Sequence, residues 1–212
     1  MAFSGCSNPT YVKKESDQHY LHWDEPNSNG ATIFDRYWED WMIEEKSELN
    51  ADTASFAFWL QHLPLKPDGY KPHYVDNGEV VTPCECCAVI DLPVCRHTDI
   101  YGAVLRIRAE YLYDVGRLDD LTFRLRGSHY VNYRDWLRGQ WITENGTSVK
   151  VPPMRDSRLA FHHFLDMVIA RSDKATLTTL LRRMSPYDIK AGVVALSGKG
   201  ILFKGNHVAI CV

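Results

Sequence analysis

"VLRIRAEYLYDVGRLDDLTFRLRG", residues 104–127, decides how the middle of this chain folds. Its first ten residues set Leu105, Ile107, Ala109, Tyr111 and Tyr113 against Arg106, Arg108 and Glu110. Its last seven set Leu121, Phe123 and Leu125 against Thr122, Arg124 and Arg126. A period of two is the pattern of half-buried antiparallel strands. A hairpin centred near Gly116 would place Arg106 opposite Arg126 and Arg108 opposite Arg124. Like charges facing each other across a sheet cost tenths of a kcal/mol to about 1 kcal/mol, so such a ladder needs a counter-charge.

Working outward, "QWITENGTSVKV" carries a hairpin signal, with Asn145-Gly146 suited to a type I′ turn. These strands predict a central antiparallel β-sheet over about residues 79–151. Residues 1–31, rich in polar and turn-forming residues, are expected to form an irregular N-terminal arm. "TIFDRYWEDWMIEEKSEL" spaces its aromatics helically, with Glu39, Asp40, Glu44, Glu45 and Glu48 on the other face. A second helix is expected over 52–62, with Phe56, Trp59, Leu60 and Leu63 inward. After the sheet, "DSRLAFHHFLDMVIAR" predicts a helix capped by Asp156 or Ser157. His162 and His163 diverge on it by about 100°, so one lies at the core boundary and the other faces water. "ATLTTLLRRM" and "SPYDIKAGVVAL" predict two further helices. "GILFKGNHVAICV" predicts a C-terminal β-hairpin turning at Gly205-Asn206. Helices, antiparallel strands and helices in that order make an α+β fold, read as one domain over residues 32–212.

Hydrophobic residues at 45% and charged residues at 24% fit a globular core rather than a disordered chain. The N-terminus lacks an apolar run behind a basic start, and no stretch reaches the length of a membrane helix. The expectation is a cytoplasmic or nuclear protein, not secreted, whose thiols stay reduced. Charge is lopsided. Residues 1–95 hold 6 Lys+Arg against 16 Asp+Glu, and residues 96–212 hold 18 against 11. The two halves can neutralise one another, or the basic half can meet an anionic partner.

"TPCECCAVIDLPVCRH", residues 82–97, holds four of the six cysteines. Cys84 and Cys87 have the C-x-x-C spacing that forms one edge of a zinc tetrahedron, and Cys95 with His97 supplies the opposite edge. Cys86 is spare, and His73 is an alternative fourth ligand. The competing reading is a strand with buried thiols, since free cysteine is among the most buried residue types. A nucleobase deaminase is excluded, because neither His62 nor His73 has the glutamate two residues on that moves protons in those enzymes. P-loop, dinucleotide-binding, nucleophile-elbow and H-E-x-x-H patterns are also missing, so no small-molecule cofactor is indicated.

The tail "GILFKGNHVAICV" resembles the segment around the catalytic histidine of the papain-like leader proteases of some picornaviruses. The resemblance covers about a dozen residues and implies His207 as general base for a thiolate nucleophile, for which Cys84, Cys86 and Cys87 are the candidates. The apolar, abrupt C-terminus "VAICV" adds the expectation of a processed viral polyprotein product. The chain departs from that family in lacking its Asn-Cys-Trp nucleophile context and an orienting acid after the histidine strand.

The reading that joins most of these features is a non-enzymatic binding or regulatory protein, with the papain-like cysteine hydrolase as the alternative. Its binding residues are Arg106, Arg108, Arg124, Arg126, Arg134 and Arg138, on an arginine-rich sheet face. The acidic helix is the other candidate surface. The partner is an acidic protein surface or RNA, since the guanidinium fork suits carboxylate and phosphate alike. Tyr130, Tyr133, Trp136 and Trp141 add stacking surfaces for single-stranded nucleic acid.

Zinc as a structural staple predicts one metal per purified chain. Cys84, Cys87 and Cys95 should then resist thiol titration until a chelator is added. Three freely reacting thiols in a metal-free protein would refute it.

Overall fold

The computed structural model describes residues 31–36, 55–67, 69–71, 89–91, 100–181, 185, 194–196 and 208–210. The chain divides into two compact units, residues 1–94 with 188–212, and residues 95–187. The described elements mix helices with short antiparallel strand pairs, an α+β composition.

In the first unit, helix α1 (Phe56–Gln61) starts at Ser55, whose hydroxyl accepts from the Phe58 amide. Leu60 and Leu63 are buried, while Phe56 and Trp59 are only half-buried. Pro64 and Leu65 then run extended between two other segments, with bridges Thr32↔Pro64 and Leu65↔Ile90. Lys66 and Asp91 form a buried ion pair beside them.

In the second unit the main departure from the sequence pattern appears. Residues 104–113 are not a strand: they belong to helix α2 (Ile100–Asp114). Val104, Leu105, Arg106, Ile107, Ala109, Glu110, Tyr111 and Leu112 are all buried. A helix buried on nearly every side shows no clean 3.6-residue stripe, and the alternation seen in the sequence is a by-product. The expected ladder of Arg106 with Arg126 and Arg108 with Arg124 therefore does not form. Gly116 does turn the chain, but as a helix cap. Its φ is +73°, its amide donates to Tyr113 O, and the Arg117 amide donates to Leu112 O at 2.8 Å. That pair of bonds is a Schellman motif, which needs a left-handed residue after the helix.

Strand β1 (Thr122–Arg124) pairs instead with β2 (Tyr130–Asn132), in the register Thr122↔Asn132, Phe123↔Val131 and Arg124↔Tyr130. Phe123 and Val131 point into the core and the other pairs point outward. Asn132 caps helix α3 (Tyr133–Leu137) by accepting from the Arg134 and Asp135 amides. Strands β3 (Gln140–Ile142) and β4 (Ser148–Lys150) form the expected second hairpin. Its turn is not type I′, because Asn145 keeps a negative φ and only Gly146 is left-handed, at +79°. Thr143 and Thr147 close a three-residue loop, the type I turn plus bulge. Gly146 also lies against the His129 ring, where a Cβ would sit 2.1 Å from Nε2. The two hairpins therefore meet at a point where only glycine fits.

Helix α4 (Arg158–Ala170) is capped by Ser157, and α5 (Lys174–Leu180) by a capping box of Asp173 with Thr176. Both follow the sequence expectation. Phe161, Phe164, Leu165 and Val168 of α4 are buried with Leu105, Ala109, Leu121, Phe123, Tyr133 and Leu177. No central sheet is present among the described residues; each strand pairs with one other. The expected helix at "SPYDIKAGVVAL" is contradicted at its end. Val194–Leu196 is strand β5, paired antiparallel with β6 (Val208–Ile210) in the first unit.

Candidate functional site

Glu110 lies on α2, wholly buried at 0% exposure, with the Arg106 guanidinium one turn earlier. Arg106 Nε is 3.4 Å from Glu110 Oε1, and Arg158 Nη1 donates to Oε2 at 2.8 Å. His162 Nε2 stands 3.1 Å from Oε1. Arg158 also reaches Asp114 on α2. Spacings of four on α2 (106, 110, 114) and four on α4 (158, 162) put these groups on facing stripes. The result is an ionic seam between the two helices.

Burial alone would push the Glu110 carboxyl up. The His162 hydrogen bond and charge, with Arg106 and Arg158, outweigh it and hold Glu110 below the usual glutamate value. For His162, burial lowers the imidazole, and Arg106 and Arg158 lower it further, against the hydrogen bond and charge of Glu110. At neutral pH the site holds an ionised Glu110 beside a neutral His162, whose Nε2 lies 3.1 Å from Oε1. Both carboxylate oxygens face donors and have no access to solvent. This site joins helices; it does not present a reacting base to a ligand.

The seam continues toward the surface. Arg158 lies 4.7 Å over the Tyr113 ring, and Tyr113 stacks on Phe161 at 4.2 Å. The Tyr113 and Tyr133 hydroxyls both donate to Asp156 Oδ1, at 3.2 and 2.8 Å. Burial, then the Asp156 charge and hydrogen bond, push the Tyr113 phenol up to about 12. Burial and the Asp156 hydrogen bond likewise raise Tyr133. One carboxylate thus ties α2, α3 and the start of α4 together.

The six arginines singled out by the sequence do not share a face. Arg106 belongs to the buried seam. Arg108 is half-buried on α2, its Nη1 without a hydrogen-bond partner among the described residues. Burial lowers its guanidinium, opposed by Asp120. Arg124 donates to Ser128 Oγ at 2.6 Å, and Arg126 to the Ala170 carbonyl. Arg134 pairs with Asp119 at 2.6 Å and Arg138 with Asp135 at 2.9 Å. Arg124, Arg126, Arg134 and Arg138 thus stay at least partly open to solvent between residues 122 and 138. Of the four aromatics proposed for stacking, Tyr133 and Trp136 are core, and Trp141 stacks parallel on Trp136 at 5.3 Å. Tyr130 alone stands out, at 61% exposure.

Cys84, Cys87, Cys95, His97 and His207 lie outside the described residues, as do His73, Cys86 and the acidic stretch from Glu39 to Glu48. Among the described residues no His, Cys, Asp and Glu cluster could hold a metal, and no helix is long and apolar enough to cross a membrane. Sequence reasoning gave no role to Glu110, Arg158 or His162. The signal was there in the four-residue spacing of Arg106, Glu110 and Asp114, a helical interval that the two-residue alternation overlaid. Of the adjacent histidines, His162 is buried and His163 exposed.

Seam and hairpins define an α+β protein whose second unit is organised round one buried helix. The chain belongs to the family described as "Domain of unknown function (4846)", which matches residues 44–212. No curated protein and no solved structure matches it.

Because His162 is held neutral in the fold, the unfolded chain takes up an extra proton as pH falls below the ordinary histidine value of 6.5. Stability therefore drops on acidification, by at most about 1.4 kcal/mol per pH unit for this one group. Glu110 acts in the same direction lower down. Its contribution is complete above 4.5 and is lost as pH falls through its depressed folded value. Urea unfolding between pH 7 and 5 should show a shallower slope for His162→Gln than for the natural chain. Glu110→Gln should cost about 3 kcal/mol at pH 7, by leaving the buried Arg106 guanidinium without its anion, while Arg158 keeps Asp114. Identical slopes would remove His162 from the account.

Proposed function

We propose that this chain is a non-enzymatic binding protein, and that its contact surface is the outward side of the β1–β2 hairpin with the arginines around it. The observation that carries this reading is the register pair Arg124↔Tyr130. A guanidinium and an exposed ring stand side by side on a hairpin whose other face, Phe123 and Val131, is anchored in the core. The surplus of 18 Lys+Arg over 11 Asp+Glu in residues 96–212 favours an anionic partner. RNA and acidic protein surfaces both supply such anions. A catalytic role has less support, because the one buried carboxylate–imidazole pair described is committed to holding α2 against α4.

Binding to a polyanion such as polyglutamate or oligouridine should weaken steadily with added salt. Arg124→Gln should reduce the slope of log affinity against log salt by about one, as for the loss of a single charge contact. Its melting temperature should stay near that of the natural chain, since among the described residues Arg124 is bonded within its own turn. No salt-sensitive binding, or a slope unchanged in Arg124→Gln, would overturn the proposal.

A further inference from the structure

We infer that the outward face of the β1–β2 hairpin is a stacking platform for single-stranded RNA, with Tyr130 beneath an unpaired base and Arg124 at the adjoining phosphate. The inference rests on the anion-binding reading above and narrows it to one partner. Four features of the hairpin carry it.

Tyr130 is exposed and has no ring partner among the described residues, whereas Tyr133, Trp136 and Trp141 are all engaged with other rings. Beside a guanidinium, a phenol offers a carboxylate only its O–H and leaves the open ring face unused. It adds much to the recognition of a base, because stacking is worth about 1–3 kcal/mol per base. The aromatic therefore favours RNA over an acidic protein.

The platform is held still. Leu125 N donates to His129 O at 2.8 Å to close the turn, and Arg124 Nη2 is held by Ser128 Oγ at 2.6 Å. His129 packs in turn against Gly146 of the neighbouring hairpin. The backbone that carries Tyr130 and the Arg124 side chain are thus fixed before binding, which lowers the ordering cost.

Few positive charges here are free. Arg134 and Arg138 already face Asp119 and Asp135. A duplex, whose base faces are covered, would have to be held by phosphate contacts alone, and this face offers too few. An unpaired strand gains from both the ring and Arg124, whose described partner is the neutral Ser128 hydroxyl rather than a carboxylate.

The polar neighbours on this face are consumed by the fold. Asn132 Nδ2 donates to Thr122 Oγ1 and to Asp119 O, while its Oδ1 caps α3. Neither side chain is left to read a base edge, so recognition should be indifferent to sequence, as stacking platforms are.

Fluorescence titration of the full chain with oligouridine, with an RNA duplex and with polyglutamate tests this. The expected result is tighter binding of oligouridine than of the other two. Tyr130→Ala should weaken oligouridine roughly tenfold, the loss of one stacked base, and leave polyglutamate unchanged, while Tyr130→Phe keeps the affinity. Circular dichroism of Tyr130→Ala should match the natural chain, as Tyr130 is exposed. Equal affinity of Tyr130→Ala for oligouridine, or duplex or polyglutamate binding as tight as the single strand, overturns the platform. If polyglutamate still binds and still depends on Arg124, the wider proposal survives that failure. If none of the three binds in a salt-dependent way, both fall.

Discussion

A carboxylate with no exposed surface must be neutralised or balanced, and Glu110 is balanced. Two guanidinium groups and an imidazole converge on it from the same helix and from α4. An uncompensated charge at that depth would cost several kcal/mol, so the position of α4 along α2 is set by the need to bring Arg158 and His162 to it. The other contacts follow from that register. Ser157 caps α4 one residue before Arg158, and Asp156 is then placed to accept from Tyr113 and Tyr133. Tyr133 opens α3, whose cap, Asn132, is the last residue of β2. The exposed hairpin thus hangs from the buried seam through a short chain of hydrogen bonds.

This layout separates two uses of arginine. Arg106 is an interior residue whose charge is spent on Glu110, and the half-buried Arg158 is shared between Glu110 and Asp114. Arg124 is a surface residue whose partner within the chain is a neutral hydroxyl. A guanidinium beside a hydroxyl keeps most of its capacity for an incoming anion, whereas one beside a buried carboxylate keeps none. Composition counts the two kinds alike, and only the fold tells them apart.

The legible parts of the sequence were those with one wet face. "LTFRLRG" and "DSRLAFHHFLDMVIAR" each bury one side, so their periods of two and 3.6 emerge clearly, while "QWITENGTSVKV" was legible through its Asn145-Gly146 turn. "VLRIRAEYLY" misleads because it has no wet face: Arg106 and Glu110 are polar in sequence but internal in the fold. Its length was the better guide, since ten residues exceed the usual half-buried strand. Gly116 and Asn145-Gly146 marked turns correctly, but not their type, because a positive φ serves a helix cap and a bulge as well as a tight hairpin. At the site, Arg124 and Tyr130 were both visible in the sequence. Their pairing was not, because register follows from which strand is the partner.

Hydrogen exchange of the α2 backbone amides tests the seam as organiser most directly. If residues 104–112 are the keystone, their amides should exchange only through global unfolding, with the same free energy as urea denaturation and the same loss on acidification. Exchange of these amides through local openings, while those of α4 and the β1–β2 hairpin stay protected, would contradict it.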